Sequence, residues 1–324
     1  MTQVLDAVLP VFLLAALGFF LSRIGFITEP ISRGLNQLVY WIGLPCLLFH
    51  KISHQELDWN SVGKVMAAFF ASLVCTIVLA YVSSLILKIQ KESIGAYVQS
   101  AFRGNLGFIG LAIILYSVSE ATLERSESIA AVALAPFAIA FNVIAVILMV
   151  VHQPQSDSPK PNLFYSMVTN PLIIGGVLGV SAAMFHWQIP LFADRSLAAL
   201  SDMSIPLALL GLGSSFGSFN LQGIDRSFVT AAASSSLLKV LISPAIGVLF
   251  GLWFQLDPIE ARIVVIYLAT PTAIASHVIV GQFKGDEKLA ATSIVTATLL
   301  SIFFLPLGLW ITHEETWNWL LDKL

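Results

Sequence analysis

The sequence predicts an all-α polytopic membrane protein. Ten transmembrane helices form two inverted five-helix repeats, with the fourth and ninth helices broken. Three observations lead there. Hydrophobic residues make up 57% of the 324 residues and charged residues 11%, with a mean hydropathy of +0.87. Soluble domains carry about 25% charged residues, so lipid must be the solvent for most of this chain. Next, ten apolar runs of spanning length can be laid along it. Last, the fourth and ninth runs are interrupted at matching positions.

A bilayer core takes about 20 apolar residues per helix. The first half gives runs 4–21, 35–53, 62–87, 95–117 and 128–151. The second half gives 167–186, 197–216, 228–254, 260–282 and 289–311. Run one lacks a basic leader and a small-x-small cleavage site, so it reads as a spanning helix and not a signal peptide. The longest polar break, His152 to Asn162, carries Pro154, Pro159 and Pro161 and separates a first repeat, 1–152, from a second, 163–312. With the N-terminus outside, Arg23, Arg33, Lys88, Lys91, Lys160, Arg226, Lys284 and Lys288 fall in inner loops. Lys51, Lys64, Arg125, Arg195, Arg262 and Lys323 then fall outside. That bias puts both termini on the outer, periplasmic side of a cell inner membrane.

The repeat is faint but positional. LNQLVYWIGLPCLLFHKIS of run two and AALSDMSIPLALLGLGS of run seven each place a proline mid-segment, Pro45 and Pro206. Each follows one apolar helix and a short charged loop. Two similar halves with an odd number of helices must insert in opposite senses, the plan of many secondary carriers. Run four contains Arg103-Gly104-Asn105-Leu106-Gly107-Phe108-Ile109-Gly110, dense in poor helix formers. Run nine contains Ala269-Thr270-Pro271-Thr272-Ala273-Ile274-Ala275-Ser276-His277, where the proline removes a backbone bond. Broken backbone at membrane depth survives only against protein or a wet cavity, and paired breaks point to a carrier's binding site.

These stretches resemble the auxin efflux carrier family, bacterial relatives of the plant PIN proteins in the bile-acid-symporter-like superfamily. LPxLLF of run two, RGNLGFIGLA of run four, ATPTA of run nine and the following GQFKGDEKLAAT carry the resemblance, which covers nearly the whole chain. It implies a scaffold of helices one, two, six and seven and a mobile transport domain of helices three to five and eight to ten, with helices four and nine crossing at their breaks near the bilayer midplane. It also implies an elevator-like motion and small organic anions such as auxin, malate and malonate as substrates. By position, Asn105 matches the asparagine after the first break, and Pro271 and Thr272 match its counterpart in run nine. The family often has a proline where this chain has Ala112, so the first break must rest on Gly104, Gly107 and Gly110.

The residue chemistry suits an anion. Helix N-termini bind carboxylates through free N–H groups and the positive end of the dipole. Asn105 and Thr272 add an amide and a hydroxyl, and Arg103 adds a positive field. Gly104, Gly107, Pro271, Ala273, Tyr40 and Pro45 complete the expected substrate-binding set. Ionisable groups inside a membrane are functional candidates by default. Asp202 would carry a coupling proton or sodium. Lys239 would be a tethered cation in a coupling ion's place, or an ion-pair partner. His277 could change charge near neutral pH. Asn142 is a further candidate beside its plainer reading, shared with Asn36, of interhelical hydrogen bonding.

The expected function is export of a small organic anion, secondary-active or uniporting. The competing reading is a cation/proton antiporter of the same plan, which would need buried carboxylates at the crossover. None is in the sequence there. No nucleotide loop, haem or iron–sulfur ligand set, cofactor motif or basic tract for nucleic acid is present, and neither a metal site nor an enzyme is expected. His313-Glu314-Glu315-Thr316-Trp317 lacks the second histidine of a zinc-protease helix. Cys46 and Cys75 read as small apolar residues, and Trp310, Trp317 and Trp319 as an interfacial belt. The glycine pairs at 175/179, 213/217 and 247/251 have close-packing spacing, which serves internal packing and allows a homodimer.

Overall fold

The structure is a computed structural model and describes residues 2–152, 169–217, 219 and 226–323. The prolines at 154, 159 and 161, Lys160 and the first two residues of run six lie outside the described residues. Each apolar run coincides with helix. Run one is α1, Thr2–Arg23. Run two is α2, Glu29–Leu38, a wide π-helical turn, Val39–Gly43, and α3, Leu44–Ser53. Run three is α4, Trp59–Ile86. Run four divides into α5, Lys91–Phe102, a wide turn, Leu106–Gly110, and α6, Leu111–Tyr116. Runs five, six and seven are α7, Glu120–His152, α8, Pro171–Met184, and α9, Leu191–Phe216. Run eight is α10, Arg226–Leu237, a wide turn, Leu238–Ile242, and α11, Ser243–Trp253. Run nine divides into α12, Pro258–Ala269, and α13, Ile274–Gln282. Run ten is α14, Glu287–Ile311, and a short α15, Glu314–Leu321, follows it.

Among the described residues, six helical stretches are long and apolar enough to cross a membrane by length and composition: Val4–Arg23, Trp59–Ile86, Glu120–His152, Leu191–Phe216, Arg226–Trp253 and Glu287–Ile311. Their outer faces carry large apolar side chains. On α1 these are Leu5, Leu9, Leu13 and Phe20. So many exposed apolar groups are stable only against lipid, and the chain is a multi-pass membrane protein.

Proline explains two of the wide turns. Pro45 and Pro244 stand second in α3 and α11. A proline ring collides with the carbonyl four residues back, at Trp41 and Val240, and in both cases that carbonyl lies in the widened turn. Pro206 has no such turn and sits inside an unbroken α9, so the two prolines that mark the faint repeat differ in local consequence.

The most extensive packing falls into two sets, which meet where α7 lies on α3 and α8 and where α1 lies on α6 and α14. In the first, α1 packs on α9, α3 on α8, and α9 on α2 and α3. In the second, α10 packs on α14, α11 on α4 and α12, and α5 on α4 and α7. Glycine lets backbones meet in the first set. A Cβ on Gly213 would strike the Ala15 carbonyl, and one on Gly175 would lie 2.5 Å from the Pro45 oxygen. Asn36 adds an interhelical bond to Ser215 at 3.0 Å. Gly179, Gly217, Gly247 and Gly251 also face neighbours within the chain. At one end of the second set, Arg125 of α7 reaches Asp257, the capping residue of α12, at 2.6 Å. Cys46 and Cys75 are free thiols, half-buried.

The tryptophan belt needs a correction. Trp310 and Trp319 are exposed, but Trp317 is fully buried and donates its indole N–H to the Leu256 carbonyl at 2.8 Å. It locks α15 onto the loop before α12, because a buried indole needs an acceptor.

Candidate functional site

The two breaks face each other. Residue types fix where each helix stops. In run nine, Pro271 pushes the preceding Thr270 out of the helical region to φ −57, ψ 142. In run four, Arg103 takes φ −79, ψ 96 and Asn105 φ −83, ψ 72 on either side of Gly104. The two short extended stretches then pair antiparallel, Gly104 opposite Thr272. The Asn105 N–H donates to the Pro271 oxygen at 2.9 Å, and the Ala273 N–H to the Arg103 oxygen at 2.9 Å. Arg103, Asn105, Thr270 and Thr272 are all buried. Each break therefore satisfies the backbone groups that the other exposes, which is what membrane depth demands.

Gly104 is needed for that approach. A Cβ there would collide with the Thr270 hydroxyl and come within 3.0 Å of the Lys239 ammonium. Gly107 is less constrained, since its Cβ would meet only side-chain ends, Leu44 at 3.3 Å and Leu134 at 4.0 Å.

Two cations flank the pairing. The Arg103 guanidinium donates to Gln99 Oε1 at 3.1 Å, to the Ala275 carbonyl at 3.3 Å and to Asn142 Oδ1 at 2.6 Å. Lys239, on the wide turn of run eight, is fully buried and donates to the Leu268 carbonyl at 2.5 Å. That carbonyl belongs to the last turn of α12, the negative end of its dipole. Among the described residues, no carboxylate lies within 4.0 Å of either cation. A buried charge without a counter-ion is expensive.

Unused donors surround the same place. The Asn105 side chain, 8% exposed, makes no hydrogen bond among the described residues and does not cap its own helix. Ser276 in the first turn of α13 and Ser100 near the end of α5 hold buried hydroxyls without partners. Ala273 caps α13 with no side-chain acceptor, leaving first-turn N–H groups open. The Thr272 hydroxyl is committed, donating to the Ser100 carbonyl at 2.7 Å.

The structure thus brings Arg103, Gly104, Asn105, Asn142, Lys239, Pro271, Thr272 and Ala273 together. Tyr40 stands on the wide turn of run two, close enough to Arg103 for electrostatic interaction. Gly107 packs toward α3, and Pro45 is seated on Gly175 of α8. Asp202 is exposed on α9. His277 lies 3.9 Å from Glu287 and against the Phe219 ring. Neither contacts Arg103 or Lys239 among the described residues. Gln99, Ser100, Thr270 and Ser276 were missed by sequence reasoning. Gln99 had a signal: it sits one turn before Arg103 in an apolar run, at hydrogen-bonding spacing.

A family model described as membrane transport protein matches residues 3–158 and 160–310. An uncharacterized transporter of Methanocaldococcus jannaschii is 26% identical over 316 residues, covering 95% of this chain and 98% of its own. A Rhizobium meliloti protein provisionally named a malonate transporter is 24% identical over 313 residues, 93% of each chain. An auxin efflux carrier component of Arabidopsis thaliana is 21% identical over 143 residues, 42% of this chain and 38% of its own.

Proposed function

The chain belongs to the membrane transport protein family of auxin-efflux-like transporters, and on that premise we propose that it exports a small organic anion by elevator-type alternating access. One observation carries the reading: two buried cations, Arg103 and Lys239, flank the paired breaks with no carboxylate within 4.0 Å among the described residues. A carboxylate-bearing substrate supplies the missing negative charge. The Asn105 amide, the hydroxyl of Ser276 and the open N–H groups of α13 supply hydrogen bonds to it. Anion and cations together enter the membrane closer to neutral than the cations alone, which lowers the cost of moving the loaded site. Lys239 acts as a built-in cation in the place of a coupling ion. Transport then follows the anion gradient and the membrane potential, with no need for a co-transported proton or sodium.

The same proposal assigns ten helices to two inverted repeats, 1–152 and 163–312. Helices one, two, six and seven form the scaffold and the rest the transport domain. The two packing sets support this division. The Lys/Arg bias supports both termini on the outer side of a bacterial inner membrane. Auxin-like monocarboxylates and short dicarboxylates are the substrate classes, in line with the names of two relatives. The antiporter reading is weaker, since its carboxylates are missing at the breaks.

A thermal-shift panel of monocarboxylates and dicarboxylates on purified protein tests the site. An anion at 100 times its Kd stabilises by about 2.7 kcal/mol. Asn105→Ala should weaken binding about tenfold, the loss of one hydrogen bond to a charged group. A panel without any shift, or an Asn105→Ala protein that shifts like wild type, defeats the reading.

A further inference from the structure

His50 and His54 stand one turn apart at the end of α3, and Asp194 stands in the first turn of α9. Asp194 Oδ1 lies 3.1 Å from His54 Nε2 and 3.5 Å from His50 Nε2. One ligand atom from each residue falls within 4.8 Å of the others. The anion site uses none of the three.

The hydrogen placement is decisive. His54 Nδ1 contacts the His50 carbonyl oxygen at 3.0 Å. A carbonyl only accepts, so this nitrogen carries the hydrogen, with the Ser53 oxygen 3.1 Å away as a second acceptor. Nε2 is then the nitrogen turned toward a carboxylate oxygen, 3.1 Å away. At that distance either a proton or a metal ion must lie between the two atoms. His50 presents its own Nε2 to the same oxygen, and its Nδ1 is buried without a partner.

We propose that His50 Nε2, His54 Nε2 and the Asp194 carboxylate bind one divalent transition-metal ion of the zinc class, with a fourth position open to solvent. Four-coordinate zinc with bonds of about 2.0–2.1 Å sets its ligand atoms about 3.4 Å apart. The two separations to Asp194 already match, and a rotation of the His50 ring adjusts the third. The bond from His54 Nδ1 to a carbonyl is the outer contact that fixes a ligating imidazole's tautomer. The closing carbonyls of α3 add negative potential. Asp202, two turns along α9 from Asp194, adds a carboxylate field at His50. Lys51, between the histidines in sequence, is neutralised by Glu127 at 2.9 Å. The ligand side chains are 22%, 45% and 29% exposed for His50, His54 and Asp194, so an ion can enter from solvent. Two imidazoles select zinc, nickel or copper over magnesium and calcium, which prefer oxygen.

The test titrates tag-free, chelator-stripped full chain with Zn2+ against a chromophoric chelator. One zinc per chain is expected, undisturbed by excess Mg2+ or Ca2+. His54→Asn and Asp194→Asn should each weaken it about 100-fold while eluting as wild type does. Co2+ loaded into the wild-type protein should give the visible bands of a four-coordinate nitrogen–oxygen site, without thiolate charge transfer. Equal zinc binding by wild type and a His50→Asn/His54→Asn double variant overturns the proposal. So does a wild-type chain that retains no zinc and leaves Co2+ six-coordinate, in which case the trio is an imidazolium–carboxylate pair.

Discussion

Among the described residues Arg103 has three acceptors and Lys239 one, and all four are neutral: an amide side chain on Gln99 and another on Asn142, and the carbonyls of Ala275 and Leu268. Neutral acceptors hold a cation in place but leave its charge standing. Lys239→Met tests whether that charge binds substrate. Exchanging a buried ion for an apolar side chain of like volume is often neutral or stabilising, offset here by one unmade bond to the Leu268 carbonyl, about 1–3 kcal/mol. Unfolding in detergent should therefore move little, while anion uptake into proteoliposomes should disappear. Uptake that survives would make Lys239 structural. Arg103→Lys should weaken anion binding about tenfold by isothermal titration, because an ammonium cannot reach three acceptors in a fixed fork. At this scale the sequence named both cations, but not their partners. Gln99 and Asn142 lie in different helices, and no spacing in the chain says that both converge on Arg103.

The breaks are element-scale features, and their two glycines are not equivalent. Gly104→Ala would press a Cβ into the Thr270 hydroxyl at the antiparallel pair, so a loss of about 1–3 kcal/mol is expected. Gly107→Ala meets only the ends of the Leu44 and Leu134 side chains, and the better helix propensity of alanine offsets the crowding, leaving a change under about 1 kcal/mol. Chemical unfolding of both variants checks the contrast; equal losses would mean that the pairing does not depend on Gly104. The positions of both breaks were legible from proline and glycine alone. Ala112 falls in the regular helix α6, and the interruption is carried upstream by residues 103–105 and the wide turn after them. The wide turns beside Pro45 and Pro244 were not legible, because a helix can absorb a proline by kinking or by widening. Trp317 misled for a related reason: an aromatic near a chain's end can face lipid or turn inward to a carbonyl, and composition does not choose.

For the whole molecule, the two packing sets meet at few polar ties, and Lys51 of α3 with Glu127 of α7 is one of them. If the sets move past one another during transport, fixing that point should stop the cycle. In a background with Cys46 and Cys75 replaced, a short bifunctional thiol reagent across Lys51→Cys and Glu127→Cys should abolish transport, and a reductant should restore it. Full cross-linking with undiminished transport would rule out sliding at this contact. Six helical stretches among the described residues are long and apolar enough to cross a membrane, and those runs were readable from hydropathy because a helix facing lipid must be apolar along its length. The pairings between distant helices were not, since Asp194 lies far along the chain from His50 and Gly213 far from Ala15. The central claim is that the paired breaks bind and carry an organic anion. Charge movement in proteoliposomes on a solid support tests it most directly. A jump in malonate or an auxin-like monocarboxylate should drive a transient current in the direction of negative charge, and Asn105→Ala should lose it. Silence toward every carboxylate, with currents only on pH or sodium jumps, would contradict the account and favour the antiporter.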